Sequence, residues 1–295
     1  KGKRAVRKSA PGADIPRLAL SNLGRNKRRS VFIIVSLMLC VMLLNSVGTV
    51  AGSLDIEKQV AYMIRTDFAV TNAAAMNGAK GFVFRKDALR EQVIADINVQ
   101  PGVTEASPIY KNTAEDTNVT YDWGHSFVEE ETVNEESGLT VRYDKGYANF
   151  GIGGDGYPIC NVYGMEESAV VRLDLREGET DGHILYEEMA EGKGVVVGVN
   201  VNRVDMSIDK DFDFINVGET ITVRKDGEPV MELPVLAKAA VNGDDQEIGY
   251  TCNGPMEVGG DGLFLYLPTS IYKELYDEPV VYKYVFNVEE NQREH

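Results

Sequence analysis

No charged residue interrupts the 25 positions from Ser30 to Leu54, and that run constrains the chain more than any other feature. As an α-helix rising about 1.5 Å per residue it would reach roughly 37 Å, beyond the ~30 Å hydrocarbon core of a bilayer. Apolar side chains fall on every face of VFIIVSLMLCVMLL, residues 31–44, which argues against an amphipathic helix lying on a soluble core. Residues 1–29 hold ten Lys or Arg against one acid, Asp14, a surplus of nine. The total is −16, so residues 30–295 carry −25. Basic residues on one flank and acidic residues on the other follow the positive-inside bias. The expected arrangement is residues 1–29 in the cytoplasm, about 30–51 across the membrane and about 52–295 outside. A cleavable signal peptide meets part of the same pattern, with Thr49 and Ala51 at −3 and −1 of a small-residue site. The long basic segment ahead of the run, and position 1 not being Met, favour an anchor.

The acidic remainder is a poor fit to nucleic acid, whose phosphates call for Lys and Arg. Catalytic patterns are equally scarce. Of the three histidines, His125, His183 and His295, none sits in an HExxH arrangement, and HILYEE around His183 lacks a second zinc ligand. No G-x-S-x-G, Walker A or GxGxxG follows an expected strand. The expectation is no enzyme and no catalytic, cofactor-binding or metal-binding residue. GGDG occurs at 153–156 and again at 259–262; neither copy has the repeated carboxylates of a calcium loop, so both read as turns. Cys40 lies in the apolar run, while Cys160 and Cys252 lie beyond it. Those two would be either a disulfide closing a long loop or two buried free thiols.

Along the chain, residues 1–13 read as a linker. Asp14 and Pro16 then open an amphipathic basic helix with Ile15, Leu18, Ala19 and Leu23 on one stripe. After the span, Leu54, Ile56, Val60, Met63 and Ile64 keep helical spacing, so the helix is expected to continue as a stalk over 52–66. DFAVTN reads as a strand, Asn77-Gly78 as a turn, and KDALREQVIADINVQPG as a helix stopped by Pro101-Gly102. Strands are expected at GVTEASPIY, TNVTYDW, LTVRY and YPICNVYG, with VEEETVNEES as an acidic loop. HILYEEMAEGKG reads as a helix and VVVGVN as a buried strand. Two apolar runs flank Asp226-Gly227, a hairpin turn pair. GLFLYLPTSIYKELYDEPVVYKYVFNVEE, residues 262–290, reads as strand, helix and strand. The fold class is α+β preceded by one transmembrane helix.

The order LALSNLGRNKRRS, span, stalk and TDFAVTN, followed by GVTEASPIY, NVYGMEESAVVRLDLREG, GKGVVVGVNVNR, INVGETITV and ELPVLAKAAVNG, resembles the MacB/FtsX-like family of ABC transporter permeases. The resemblance covers nearly the whole chain and rests on structural rather than catalytic motifs. It implies a bacterial plasma-membrane protein, dimeric, served by a separate cytoplasmic ABC ATPase. It also implies an extracytoplasmic two-lobed domain that works on peptide, lipid, lipoprotein or antibiotic substrates, or signals. Within 67–295 the expected lobes are about 67–110 with 190–295, and about 111–189. Members have at least four spans and this sequence has one, so it is expected to be an internal piece of a longer permease. The rival expectation is a single-span or secreted ligand-binding or sensor domain.

Overall fold

A computed structural model describes residues 27–53, 66–73, 75, 82–124, 131–133, 138, 140–144, 148–202, 207–210, 213–241 and 263–290. The amphipathic helix over 14–25, stalk residues 54–65, the Asn77-Gly78 turn, His125, Cys252, the second GGDG and His295 lie outside them. The chain divides into two units, Lys1–Gln59 and Val60–His295.

In the first unit, Lys27–Ser53 is one α-helix, α1. Its Lys27–Thr49 stretch of 23 residues is long and apolar enough to cross a membrane. Phe32 is 78% exposed and Leu44 72%, whereas a soluble core helix would bury such side chains.

The second unit is α+β. Its larger sheet has ten strands. In spatial order they run β1 (Phe68–Thr71), β14 (Val281–Val288), β2 (Val103–Lys111), β8 (Asn161–Met165), β13 (Phe264–Pro268), β10 (Val195–Asn200), β12 (Glu228–Val241), β11 (Thr220–Lys225) and β3 (Val119–Asp122). The tenth strand, β9 (Leu175–Gly178), pairs with β12 off this path. β8 runs parallel to β13 and β10 parallel to β12; every other pair in this sheet is antiparallel.

Period-two alternation sends successive side chains to opposite faces, and here both faces are buried. Val195, Val197 and Val199 join Leu265, Leu267 and Val162 in one core cluster. Val196 joins Phe264, Tyr266 and Tyr163 in another. The first cluster takes in Tyr272 and Leu275 of α5 (Thr269–Leu275), with Tyr276 just after it. The second takes in Ala169 and Val170 of α3 (Glu167–Val170) and Leu185 and Met189 of α4 (Gly182–Ala190). Continuous apolar runs such as VVVGVN follow from this double cover.

A four-stranded sheet stands apart: β4 (Glu131–Val133), β5 (Thr140–Asp144), β6 (Ala148–Ile152) and β7 (Pro158–Ile159). Residues 111–189, the range expected to form the second lobe, contribute to both sheets. β3, β8 and β9 pair in the large sheet, and the small sheet takes 131–159. Glu131–Val133 is strand rather than acidic loop, because it hydrogen-bonds along β5 in the register Glu131 to Arg142.

The helix expected from Lys86 starts later, as α2 (Glu91–Asn98). Arg85–Asp87 makes a single 3-10 turn. The Leu89 N–H then donates to Val281 O at 2.8 Å, which holds that part of the chain extended and buries Leu89 with Tyr284 and Phe286. The hairpin forms as expected: Lys225 pairs Glu228, and Asp226 (φ 54°) and Gly227 (φ 83°) occupy the left-handed region a type I′ turn requires.

Candidate functional site

The first strand of the domain and its last lie side by side. β1 pairs antiparallel with β14, with Phe68 opposite Phe286 and their rings stacked at 5.3 Å. Just before β1, the Asp67 N–H donates to Asn287 Oδ1 at 2.9 Å. In return the Val288 N–H donates to Asp67 Oδ2 at 2.9 Å. This reciprocal clasp joins residues 220 and 221 positions apart. The Thr71 hydroxyl adds a bond to Tyr282 O at 2.6 Å, and the Glu289 N–H donates to Gly102 O at 2.9 Å. The clasp thus ties the chain at Asp67 to β14, and β14 in turn pairs with β2 from Val281 to Val288.

A cavity of about 340 Å³ opens where three turns meet, lined by Thr117, Asn118, Gly154, Asp155, Asp226 and Gly227. Its carboxylates are already engaged. Asp155 accepts from Thr120 Oγ1 at 2.7 Å, from Tyr157 N–H at 3.2 Å and from Arg224 Nε at 3.3 Å. Asp226 Oδ1 accepts from Asn118 Nδ2 at 3.2 Å. The Arg224 guanidinium stands 4.5 Å over the Tyr157 ring and donates to Gly227 O. The first GGDG supplies one of these turns: the Gly153 N–H donates to Tyr157 O at 2.8 Å, and β7 follows. Cys160 is a free, buried thiol, and burial pushes its pKa up. Among the described residues no group of three or more His, Cys, Asp or Glu is arranged to hold a metal ion.

His183 opens α4, whose N-terminus is capped by Asp181 accepting from the His183 and Ile184 N–H groups. Its Nδ1 lies 2.7 Å from Glu167 Oε1 on α3. That hydrogen bond raises the imidazole pKa above its ordinary value against an opposing desolvation, and the charges of Glu167, Asp181 and Glu187 add to the rise. A raised folded-state pKa makes this contact contribute at pH below the ordinary imidazole value and lose its contribution as pH rises through the raised one. Glu167→Gln is expected to bring the His183 titration back toward the ordinary value, read from its imidazole NMR shifts. An unchanged midpoint would mean that Glu167 is not the cause.

Asp67 and Asn287 were not legible as partners in the sequence. The available signal was Asn287 itself, a polar residue within the apolar run YVFNV at the end of β14.

The architecture is thus an α+β domain preceded by a helix able to cross a membrane. No family model and no curated protein matches the chain. Several solved structures are similar to it, two of them as follows. One is the periplasmic region of MacB from Actinobacillus actinomycetemcomitans, at 12% identity and a TM-score of 0.31, over 67% of this chain and 65% of that one. The other is the extracellular domain of the noncanonic ABC-type transporter YknZ from Gram-positive bacteria, at 11% identity and a TM-score of 0.33, over 70% and 77%. The chain thus spans just under two thirds of the MacB region it matches.

Proposed function

We propose that the chain is a membrane-spanning segment of an ABC transporter permease that couples motion driven by a separate ATPase to its extracytoplasmic domain. The motion serves export, extraction or signalling, with peptides, lipids, lipoproteins or antibiotics as substrates, and the working unit is a permease dimer. Residues 1–29 lie in the cytoplasm and about 52–295 outside. The observation that carries this reading is the clasp between β1 and β14: chain arriving from the α1 side is hydrogen-bonded to the last strand before it enters the sheet. Support comes from Lys27, Arg28 and Arg29 at the start of α1 and the acidic chain beyond it.

The test is Leu54→Pro in the full-length permease. A proline inside a helix costs about 3 kcal/mol and kinks or breaks it, so a stalk running on from α1 would no longer transmit displacement. Transport or resistance is expected to fall to the level of an ATPase-dead transporter, with surface expression unchanged. Undiminished output at normal surface level would overturn the reading. A second reading, ligand capture by the outer domain alone, draws on the cavity among residues 117–118, 154–155 and 226–227. It would gain ground if Leu54→Pro left both output and ligand binding intact.

A further inference from the structure

Glu105 is one of two non-glycine residues with positive φ among the described residues, at 48°. It sits where β2 slips against β14: Val285 pairs Ser107, and the next pair is Asn287 with Thr104. One extra residue in β2 makes a bulge, a device that re-aims a side chain. Here the bulge aims the Glu105 carboxylate at two donors. Asn287 Nδ2 lies 2.5 Å from its Oε2, and Arg172 Nη2 lies 3.4 Å from the same oxygen. Arg172 follows α3 directly and its side chain is only 18% exposed. Its Nη1 is buried with no hydrogen-bond partner among the described residues, and its Nη2 meets Glu105, whose side chain is 61% exposed. Asn287 is in turn one half of the clasp with Asp67.

We infer that Glu105 and Arg172 form a latch that couples the β1–β14 clasp to the α3–α4 layer covering the second core cluster. The unbroken order of contacts is Val288, Asp67, Asn287, Glu105 and Arg172. A non-glycine residue held in the left-handed region persists only where its surroundings over-determine it, and the two donors supply that hold. Loosening either end is therefore felt at the other, because coupling between sites is reciprocal. The inference deepens the coupling reading above by naming where displacement goes after β14.

Amide hydrogen exchange on the whole chain tests it in the resting state. Arg172→Met keeps the packing of the stem and removes the charge. It is expected to speed exchange of the Asp67 and Val288 amides about fivefold or more, the lower range of ordinary coupling, and to leave Val196 in β10 unchanged. Asp67→Ala is expected to do the converse, speeding the Arg172 and Leu173 amides by a similar factor. Glu105→Gln, which keeps the side-chain volume, should raise both sets, and it serves if either other variant folds poorly. Exchange that rises only beside the substituted residue overturns the latch, and so does a uniform rise that includes Val196. No transport is measured, so failure of the latch leaves the Leu54→Pro result standing, and failure of the coupling reading leaves the exchange result standing.

Discussion

Gly164→Ala is expected to lower the unfolding free energy by about 1–3 kcal/mol, the usual cost of forcing extra volume into a packed core. A Cβ at this position of β8 would stand 2.5 Å from Tyr272 Cγ and 2.7 Å from Tyr272 Cβ. The second contact matters more, since a Cβ moves only with its backbone and no rotamer change relieves it. Tyr272 cannot retreat easily either. Its ring stacks on Tyr276 at 4.6 Å and lies 5.8 Å from Tyr110. The Tyr276 hydroxyl is in turn 2.9 Å from that of Tyr121, both fully buried. Alanine at 164 must therefore push α5 off the sheet rather than move one ring. The single Trp, Trp123, packs against the same cluster, so its fluorescence during urea unfolding of the whole chain reports the change. Pairing Gly164→Ala with Tyr272→Gly, which removes both the ring and that Cβ, should cost less than the two separate costs together, by more than about 0.5 kcal/mol, as residues in direct contact do. Additive costs, or a neutral Gly164→Ala, would show that the strand and helix are not in contact as described.

The elements that could be read in advance are those whose signal is local. The uncharged run predicts α1, Asp226-Gly227 predicts its hairpin, and VVVGVN predicts a buried strand; all three are present. Order within the sheet is a different kind of information. β8 lies between β2 and β13, and β10 between β13 and β12, and alternation reveals which face a residue takes but not which strand lies beside it. The same limit explains Glu131–Val133. Its composition is that of a solvated loop, and it becomes strand through hydrogen bonds to residues 140–142. Leu89 left the expected helix for a comparable reason, since a bond to Val281 outweighed a helical pattern that continued through it.

The site was less legible than the fold. Asp67 and Asn287 meet only because the first and last strands pair, and neither residue type nor spacing announces that. Glu105 lies in GVTEASPIY, which reads as a strand; its left-handed backbone goes with a one-residue slip against β14, which sequence alternation does not encode. Among the described residues Cys160 is free and buried, packed as a small apolar-like core residue.

Buried charge gives the second large expectation. Lys238 lies between Ala237 and Ala239 in the apolar second half of β12 and is 1% exposed. Its Nζ is 2.6 Å from Asp213 Oδ1 and 3.3 Å from Glu177 Oε2. Such a pair is weak evidence for stability, because taking both charges out of water offsets much of their attraction. Removing one partner is another matter: the remaining charge keeps its desolvation penalty and loses its compensation. Asp213→Ala is therefore expected to destabilise the domain by about 2–3 kcal/mol, below the 3–5 of a fully buried pair, since the Asp213 side chain is 23% exposed and Glu177 remains. Lys238→Met deletes the buried charge and fills the same space, so its cost should stay within about 1 kcal/mol. The double variant should then lie nearer Lys238→Met than Asp213→Ala, although Asp213→Ala alone removes fewer atoms from the core. Urea midpoints followed through Trp123 distinguish the cases. If Lys238→Met proves as costly as Asp213→Ala, the ion pair contributes net stability and the desolvation argument fails here. If the predicted asymmetry holds, the pair adds little net stability of its own, and the cost of Asp213→Ala is that of leaving the Lys238 charge buried without its nearest partner.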